Sequence, residues 1–393
     1  MLLLHSCKIK MNIIGAHLFY VRLKTHSRVV YLHCIKNFSI RNFFLGISYF
    51  LVLSIVMFTN IISRLLDEIL FPNYRHIEIK QPIFIISNPR SGTTFLHRLM
   101  CLDNEKYVST LMYQTIWPSI TLFRIIQVFA SIDNKIGKPL HKVMDFINDN
   151  FFEAWEDIHE TGFNKSEEDE GLHFVSGISA SVGLATPQLK EFRELYIPDN
   201  LDEHTRVDIK KFYKATAQRW MYALGNDRLF LGKSVMSSGR LELLHDIFPD
   251  VKIIFLIRNP YQAIPSFTSM FAESWSTLFP NVPKVSEEYR EWGELGISYY
   301  KYFNEEKSKF KKENFITISY TDLIAQPKET VIKIYDQLKL TMTPEFLKVL
   351  ETETNKSRNY SSKHTYSLEE YGFDKEHIYK ELEFIFDEFG FEK

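Results

Sequence analysis

The chain has little cysteine and no concentrated positive charge beyond its N-terminus, and each shortage removes a class of protein. Three cysteines, Cys7, Cys34 and Cys101, lie far apart. They cannot build a disulfide framework and have no metal-ligand spacing, so no metal is expected. The formal net charge is -2 and the basic residues after the N-terminus are scattered, which leaves no footprint for a nucleic acid. No internal repeat or low-complexity tract stands out. Phosphate-binding loops that hydrolyse nucleotide triphosphates carry a lysine after their second glycine; here Thr93 follows Gly92. That lysine reaches the β/γ-phosphates, so its absence argues against triphosphate hydrolysis.

What is present around that position is an anion cradle. Ile83 to Ile86 form an apolar, β-branched run of the length of a buried parallel strand, and the loop to Thr94 leads into an apolar-periodic helix. Gly92 lets the backbone turn so that successive N–H groups face one concavity at the positive end of the helix dipole, which favours a phosphate. The cation has moved inside the loop, to Arg90. Its guanidinium can reach the bridging oxygen of a nucleotide 5′-anhydride while the amides of Ser91, Gly92, Thr93 and Thr94 and the two threonine hydroxyls hold the phosphate.

Pro89-Arg-Ser-Gly-Thr-Thr-Phe-Leu-His-Arg-Leu99 resembles the 5′-phosphosulfate loop of sulfotransferases that use 3′-phosphoadenosine 5′-phosphosulfate (PAPS). A second segment, Val251-Lys-Ile-Ile-Phe-Leu-Ile-Arg-Asn-Pro-Tyr-Gln-Ala-Ile-Pro-Ser266, is similar to the family's 3′-phosphate element, in which a strand-end arginine and a later serine hold that group. The resemblance gives these roles to Arg258 and Ser266. A dianionic phosphate suits a permanently charged, forked guanidinium. Leu229-Phe-Leu-Gly-Lys-Ser-Val235 resembles the Lys-Ser segment that precedes the second nucleotide strand, and Phe315-Ile-Thr-Ile-Ser-Tyr-Thr-Asp-Leu-Ile-Ala-Gln-Pro327 the strand-Tyr-x-Asp-Leu element. The likeness runs from about Gln81 to Lys393 and is weakest between Lys106 and Arg228, where acceptor recognition would lie.

The resemblance implies that Lys233 stands near the transferring group, where an ammonium stabilises charge growing in the transition state. Cytosolic family members carry a histidine base two residues after this lysine; this chain has Val235, which cannot accept a proton. Another branch uses a carboxylate further along from the loop arginine, where this chain offers only Gln114. The base is therefore sought in Trp155 to Glu170, where carboxylates gather beside His159. His159 is the first candidate because its unperturbed pKa lies near neutrality. Glu160, Glu168 and Asp169 follow, since a branch with membrane-linked and bacterial members carries a similar acidic stretch. The same pattern also suits a solvated acidic first helical turn. His97 and His173 are taken as structural.

No charged residue occurs from Asn42 through Ser63, and no acidic one before Asp67. Residues 43–62 are about long enough to cross a bilayer as a helix. Lys8, Lys10, Arg22, Lys24, Arg28, Lys36 and Arg41 precede them, a bias that would keep the N-terminus cytosolic if the helix spans. A monotopic helix lying on the membrane and an acid-poor transit peptide fit the same pattern. Membrane association is expected, facing a Golgi-type lumen in a eukaryote and at the cytoplasmic face in a bacterium. Sequons at Asn37, Asn164, Asn355 and Asn359 do not decide the compartment.

Aromatic residues make up 15% of the chain, with 33 Phe, which points to large packed helices and an apolar or sugar-stacking acceptor cleft. Strands are expected at Ile83–Ile86, near Leu229, at Lys252–Ile257 and at Phe315–Ser319, with helices from Gly239, over Glu287–Phe310 behind a Ser286 cap, over Lys328–Leu340 and over Glu376–Phe389. The fold class is α/β: a three-layer parallel sheet with P-loop-like topology, a helix-rich insert and an N-terminal hydrophobic helix. Residues 1–75 read as the basic, hydrophobic segment and 76–393 as one catalytic domain. The function expected is sulfuryl transfer from PAPS to a hydroxyl or amine of a carbohydrate, lipid or small molecule, with no nucleic-acid partner. A P-loop nucleotide kinase and a sulfotransferase-like binding protein without turnover are the alternatives.

Overall fold

The computed structural model describes residues 15–88, 90–139, 142, 168–225, 227–357 and 367–393. Two helices, α1 (Ala16–Tyr31) and α2 (Ile40–Leu70), precede β1 (Ile83–Ser87), which feeds α3 (Thr93–Cys101). A short β2 (Tyr107–Val108), α4 (Met112–Ile116) and α5 (Ile120–Lys135) come next, then α6 (Glu170–Ser176), α7 (Glu203–Leu224) and β3 (Leu229–Lys233). The remainder alternates: α8 (Leu241–Ile247), β4 (Lys252–Ile257), α9 (Pro260–Leu278), α10 (Glu287–Glu306), β5 (Phe315–Ser319), α11 (Tyr320–Ala325), α12 (Pro327–Gln337), α13 (Pro344–Ser357) and α14 (Lys375–Phe389).

The five strands form one parallel sheet in the order β2-β3-β1-β4-β5. Every residue of β1 and β4 is buried, as a parallel sheet covered on both faces requires. The pleat sorts β1 between two cores. Phe84 and Ile86 join the cluster built with Trp220 of α7, Leu244 of α8, Phe303 of α10 and Ile385 of α14. Ile83 and Ile85 join the opposite cluster with Leu96 and Met100 of α3 and Ile334 of α12. The result is the expected three-layer α/β fold.

Local chemistry explains the boundaries. Ser286 accepts from the Tyr289 amide and caps α10. The helix ends at Glu306, short of the expected Phe310, because Asn304 to Lys309 offers no apolar side chain to bury after Phe303. The helix expected from Gly239 starts at Leu241, as α8, after a tight turn over Met236–Gly239.

The N-terminal helices pack on this core. Asp208 of α7 accepts from the amides of His17 and Leu18 and so caps α1, while Arg22 reaches Ser176 Oγ at 3.2 Å. The hydrophobic helix runs well past 43–62, over 31 residues. Its buried stripe, Gly46, Leu53, Val56, Asn60, Arg64 and Asp67, recurs at helical spacing. Asp67 accepts from Ser119 Oγ (3.0 Å) and the amides of Ile120 (3.1 Å) and Thr121 (2.7 Å), thereby capping α5, and from Arg219 Nε of α7 (3.1 Å).

Candidate active site

Strand order decides which side chains meet. Because β1 lies between β3 and β4, the loop that leaves β1 is flanked by Lys233 at the end of β3 and Arg258 just past the end of β4. Register carries this through: Ile85 pairs with Lys233, Ser87 with Leu256, and the Ser234 amide donates to Ile85 O at 3.1 Å.

Gly92 takes φ 88° at the mouth of α3, and no side chain among the described residues caps that helix. The first-turn amides are thus open to an anion. A Cβ on Gly92 would come within 3.1 Å of Leu323 and 3.2 Å of Tyr320, so the backbone approaches the start of α11 as closely as glycine allows. Gly92→Ala is expected to cost about 1–2 kcal/mol, the penalty of left-handed backbone for an L-residue, plus the clash. A lower thermal midpoint and loss of phosphonucleotide binding, read by calorimetry, check this.

Arg90 is also left-handed, with φ 65°. A non-glycine residue holds that geometry only where its surroundings impose it. Arg258 Nη1 donates to the Arg90 carbonyl at 2.8 Å, and Arg90 Nε lies 3.4 Å from Ser266 Oγ. The two segments singled out for opposite ends of a bisphosphate nucleotide therefore interlock. Arg258 is itself set by Tyr320, whose ring lies 4.4 Å beneath the guanidinium, and by Tyr300, whose hydroxyl donates to its carbonyl at 2.6 Å. Sequence alone does not mark these two tyrosines: Tyr320 lies inside the Ser-Tyr-Thr-Asp-Leu element, and Tyr300 has no local signal.

Lys233 is buried, 1% exposed. Its Nζ is 3.2 Å from Thr94 Oγ1 and 3.6 Å from Glu168 Oε1. The other oxygen of Glu168 accepts from the Val235 amide at 3.2 Å. Val235, whose side chain cannot accept a proton, thus presents its backbone N–H to a carboxylate.

The three consecutive acids diverge. Asp169 turns inward to the Tyr213 hydroxyl, with His173 Nε2 at 3.6 Å. Burial would raise its carboxyl, but His173, Arg240 and Tyr213 outweigh that and hold it below the usual range. Glu170 takes Arg240 (3.0 Å) and Ser181 (2.6 Å). Glu168 alone of the three faces Lys233. His159 and Glu160 lie outside the described residues. Gln114 is buried, its Oε1 accepting from the Leu111 amide, and His97 and His173 are buried.

Chemistry of the loop fits a phosphonucleotide. Ser91 Oγ and Ser234 Oγ are buried with no hydrogen-bond partner among the described residues. An unsatisfied buried hydroxyl costs about 1–3 kcal/mol, and phosphate or sulfuryl oxygens would satisfy both. Among the described residues no group of three metal-ligating side chains gathers.

Residues 82–344 match the sulfotransferase family. The chain belongs to that family. The omega-hydroxy-beta-dihydromenaquinone-9 sulfotransferases Stf3 of Mycobacterium bovis and Mycobacterium tuberculosis are each 22% identical to it over 263 residues. That match covers 66% of this chain and 63% of theirs. Among solved structures, sulfotransferase STF9 from Mycobacterium avium superposes with a TM-score of 0.71 at 16% identity, covering 97% of this chain and 98% of its own. Sulfotransferase STF1 from Mycobacterium tuberculosis H37Rv gives 0.60 at 20%, covering 93% and 90%. At such identities the likeness shows the sulfotransferase fold, extended through the N-terminal helices.

Proposed function

We propose that this protein transfers a sulfuryl group from PAPS to an acceptor hydroxyl, with Glu168 as the general base. The observation that carries the proposal is the Glu168–Lys233–Thr94 contact at the mouth of the loop. Glu168 would take the hydroxyl proton as the acceptor oxygen bonds to sulfur and the bond from sulfur to the 5′-phosphate oxygen breaks. Lys233 and Arg90 would stabilise charge on the transferring and leaving oxygens. Arg258 and Ser266 would hold the 3′-phosphate, and Ser91, Gly92, Thr93 and Thr94 the 5′-phosphate. Positioning and electrostatics supply most of the rate in such transfers, as in phosphoryl transfer. The relatives named for omega-hydroxy-beta-dihydromenaquinone-9 support an alcohol as the acceptor class. Association with a membrane through residues 43–62 belongs to the same proposal, supported by the apolar helix.

The donor half is tested with Arg258→Ala. Affinity for 3′-phosphoadenosine 5′-phosphate should fall about 10–150-fold, matching about 1.5–3 kcal/mol for hydrogen bonds to a charged group. Affinity for adenosine 5′-phosphosulfate, which lacks the 3′-phosphate, should fall much less, by only what the Arg90 loop loses with its bond from Arg258. Equal losses for both nucleotides in titration calorimetry would remove Arg258 from the 3′-phosphate. Protection against heat by ATP and Mg²⁺ but not by the 3′-phosphorylated product would favour the kinase alternative.

A further inference from the structure

We infer that α2 and α5 together seat the protein in one leaflet of an anionic bilayer, with α2 lying along the membrane plane and not crossing it. The inference rests on the membrane association proposed above and specifies its geometry. An 18-residue window of α2 has mean hydropathy 2.1 yet only 22% of it is buried. A core helix of that composition would be covered; this one presents Phe50 (53% exposed), Val52 (62%), Ile55 (63%) and Phe58 (66%) outward. α5, which packs against α2 and is capped by Asp67, adds Ile125, Val128, Phe129 and Ile132 to the exposed apolar surface.

Crossing is excluded by how the ends are held. At the first turn of α2, Arg41 Nη2 donates to the Thr277 carbonyl of α9 at 2.6 Å. In its last turns Arg64 reaches Thr216 Oγ1 at 2.9 Å, and Asp67 pairs with Arg219, both partners on α7. The 31 residues of α2 are about 46 Å long, more than the roughly 30 Å of bilayer hydrocarbon. A spanning α2 would drag helices of the catalytic core into the hydrocarbon or to both sides of it. Lying flat, it keeps Asn60, Arg64 and Asp67 against the protein and only its apolar face in lipid.

Charge selects the lipid. The exposed charged side chains along α5 are Arg124 and Lys135, with Lys138 just beyond, while Arg41 at the start of α2 is exposed but already bonded to Thr277. The acids Asp67 and Asp133 are buried, and Glu68 is engaged by Arg219 and Arg75. Cations rimming an apolar face match the headgroups of anionic phospholipid.

The test uses the full chain and phosphatidylcholine vesicles with or without phosphatidylglycerol. Cosedimentation is expected with the anionic vesicles. Phe58→Glu and Phe129→Glu, both at exposed positions, should each weaken it about 10–100-fold, and Lys135→Gln about fivefold on anionic vesicles only. Depth is read with a fluorophore on Ile47→Cys or Ile69→Cys, after Cys7, Cys34 and Cys101 are replaced by serine. Shallow spin-labelled lipid added to the outer leaflet should quench both sites alike. Binding with one end quenched and the other protected would overturn the in-plane geometry while leaving membrane association standing. Absence of vesicle binding would overturn both, as would a lipid-free dimer that Phe58→Glu dissociates.

Discussion

Glu168→Gln is expected to lower kcat for sulfuryl transfer by about 10²–10⁴-fold, the range contributed by a positioned general base, while binding of 3′-phosphoadenosine 5′-phosphate stays close to wild type. Glutamine keeps the size of the side chain and can still accept from the Val235 amide, a bond of 3.2 Å in the native protein. It cannot take a proton at neutral pH. If Glu168 served only to neutralise Lys233, 3.6 Å away, the substitution would lower stability and leave the rate of the remaining folded enzyme unchanged. Two readouts separate these roles. In Glu168→Gln kcat should fall with KM for the donor unchanged, and Glu168→Asp should recover part of the rate. Gln or Asn at Asp169 should not reproduce the effect, because that carboxylate is committed to Tyr213 and His173.

Lys233→Ala is expected to cost about 10²–10³-fold in kcat, the usual loss when one preorganised donor to a developing negative charge is removed. Its ammonium sits between Thr94 of the loop and Glu168, so it borders both the proposed donor cradle and the proposed base. In the proposed role, which is exerted mainly in the transition state, KM for the donor should move far less than kcat. A loss confined to KM would instead make Lys233 a ground-state phosphate ligand. Lys233→Arg should restore little, because the side chain is buried and a guanidinium is larger and planar.

Much of this was legible before any coordinates. β4 and β5 match the expected strands residue for residue, and β1 extends one further, because continuous apolar runs mark β1 and most of β4 as buried strands and the alternation of Ile316 and Ile318 with polar residues marks β5 as a half-buried one. Arg90, Arg258 and Ser266 were named from loop chemistry and family likeness, and parallel pairing of β1 with β4 brings them together. The carboxylate proposed as the base was less accessible. His159, Glu160, Glu168 and Asp169 form one acidic stretch in sequence, and nothing local says which of them turns toward β3. Only the tertiary arrangement, with the Val235 amide and Lys233 both facing Glu168, separates it from Asp169. Tyr300 was illegible for the same reason: it sets Arg258 across 42 residues. The N-terminal hydrophobic stretch was recognised by composition, but its attachment to α9 through an exposed hydrogen bond and to α7 through buried polar contacts is something periodicity does not report.

The central claim is turnover that depends on Glu168. Purified wild-type protein and Glu168→Gln, both shown by calorimetry to bind 3′-phosphoadenosine 5′-phosphate, should be incubated with PAPS labelled in its sulfuryl group and with lipid and aqueous extracts of the source cells. The account predicts a labelled product that forms with the wild type and is reduced at least about a hundredfold with Glu168→Gln. Equal labelling by both proteins, or donor binding without any labelled product from either extract, would contradict it.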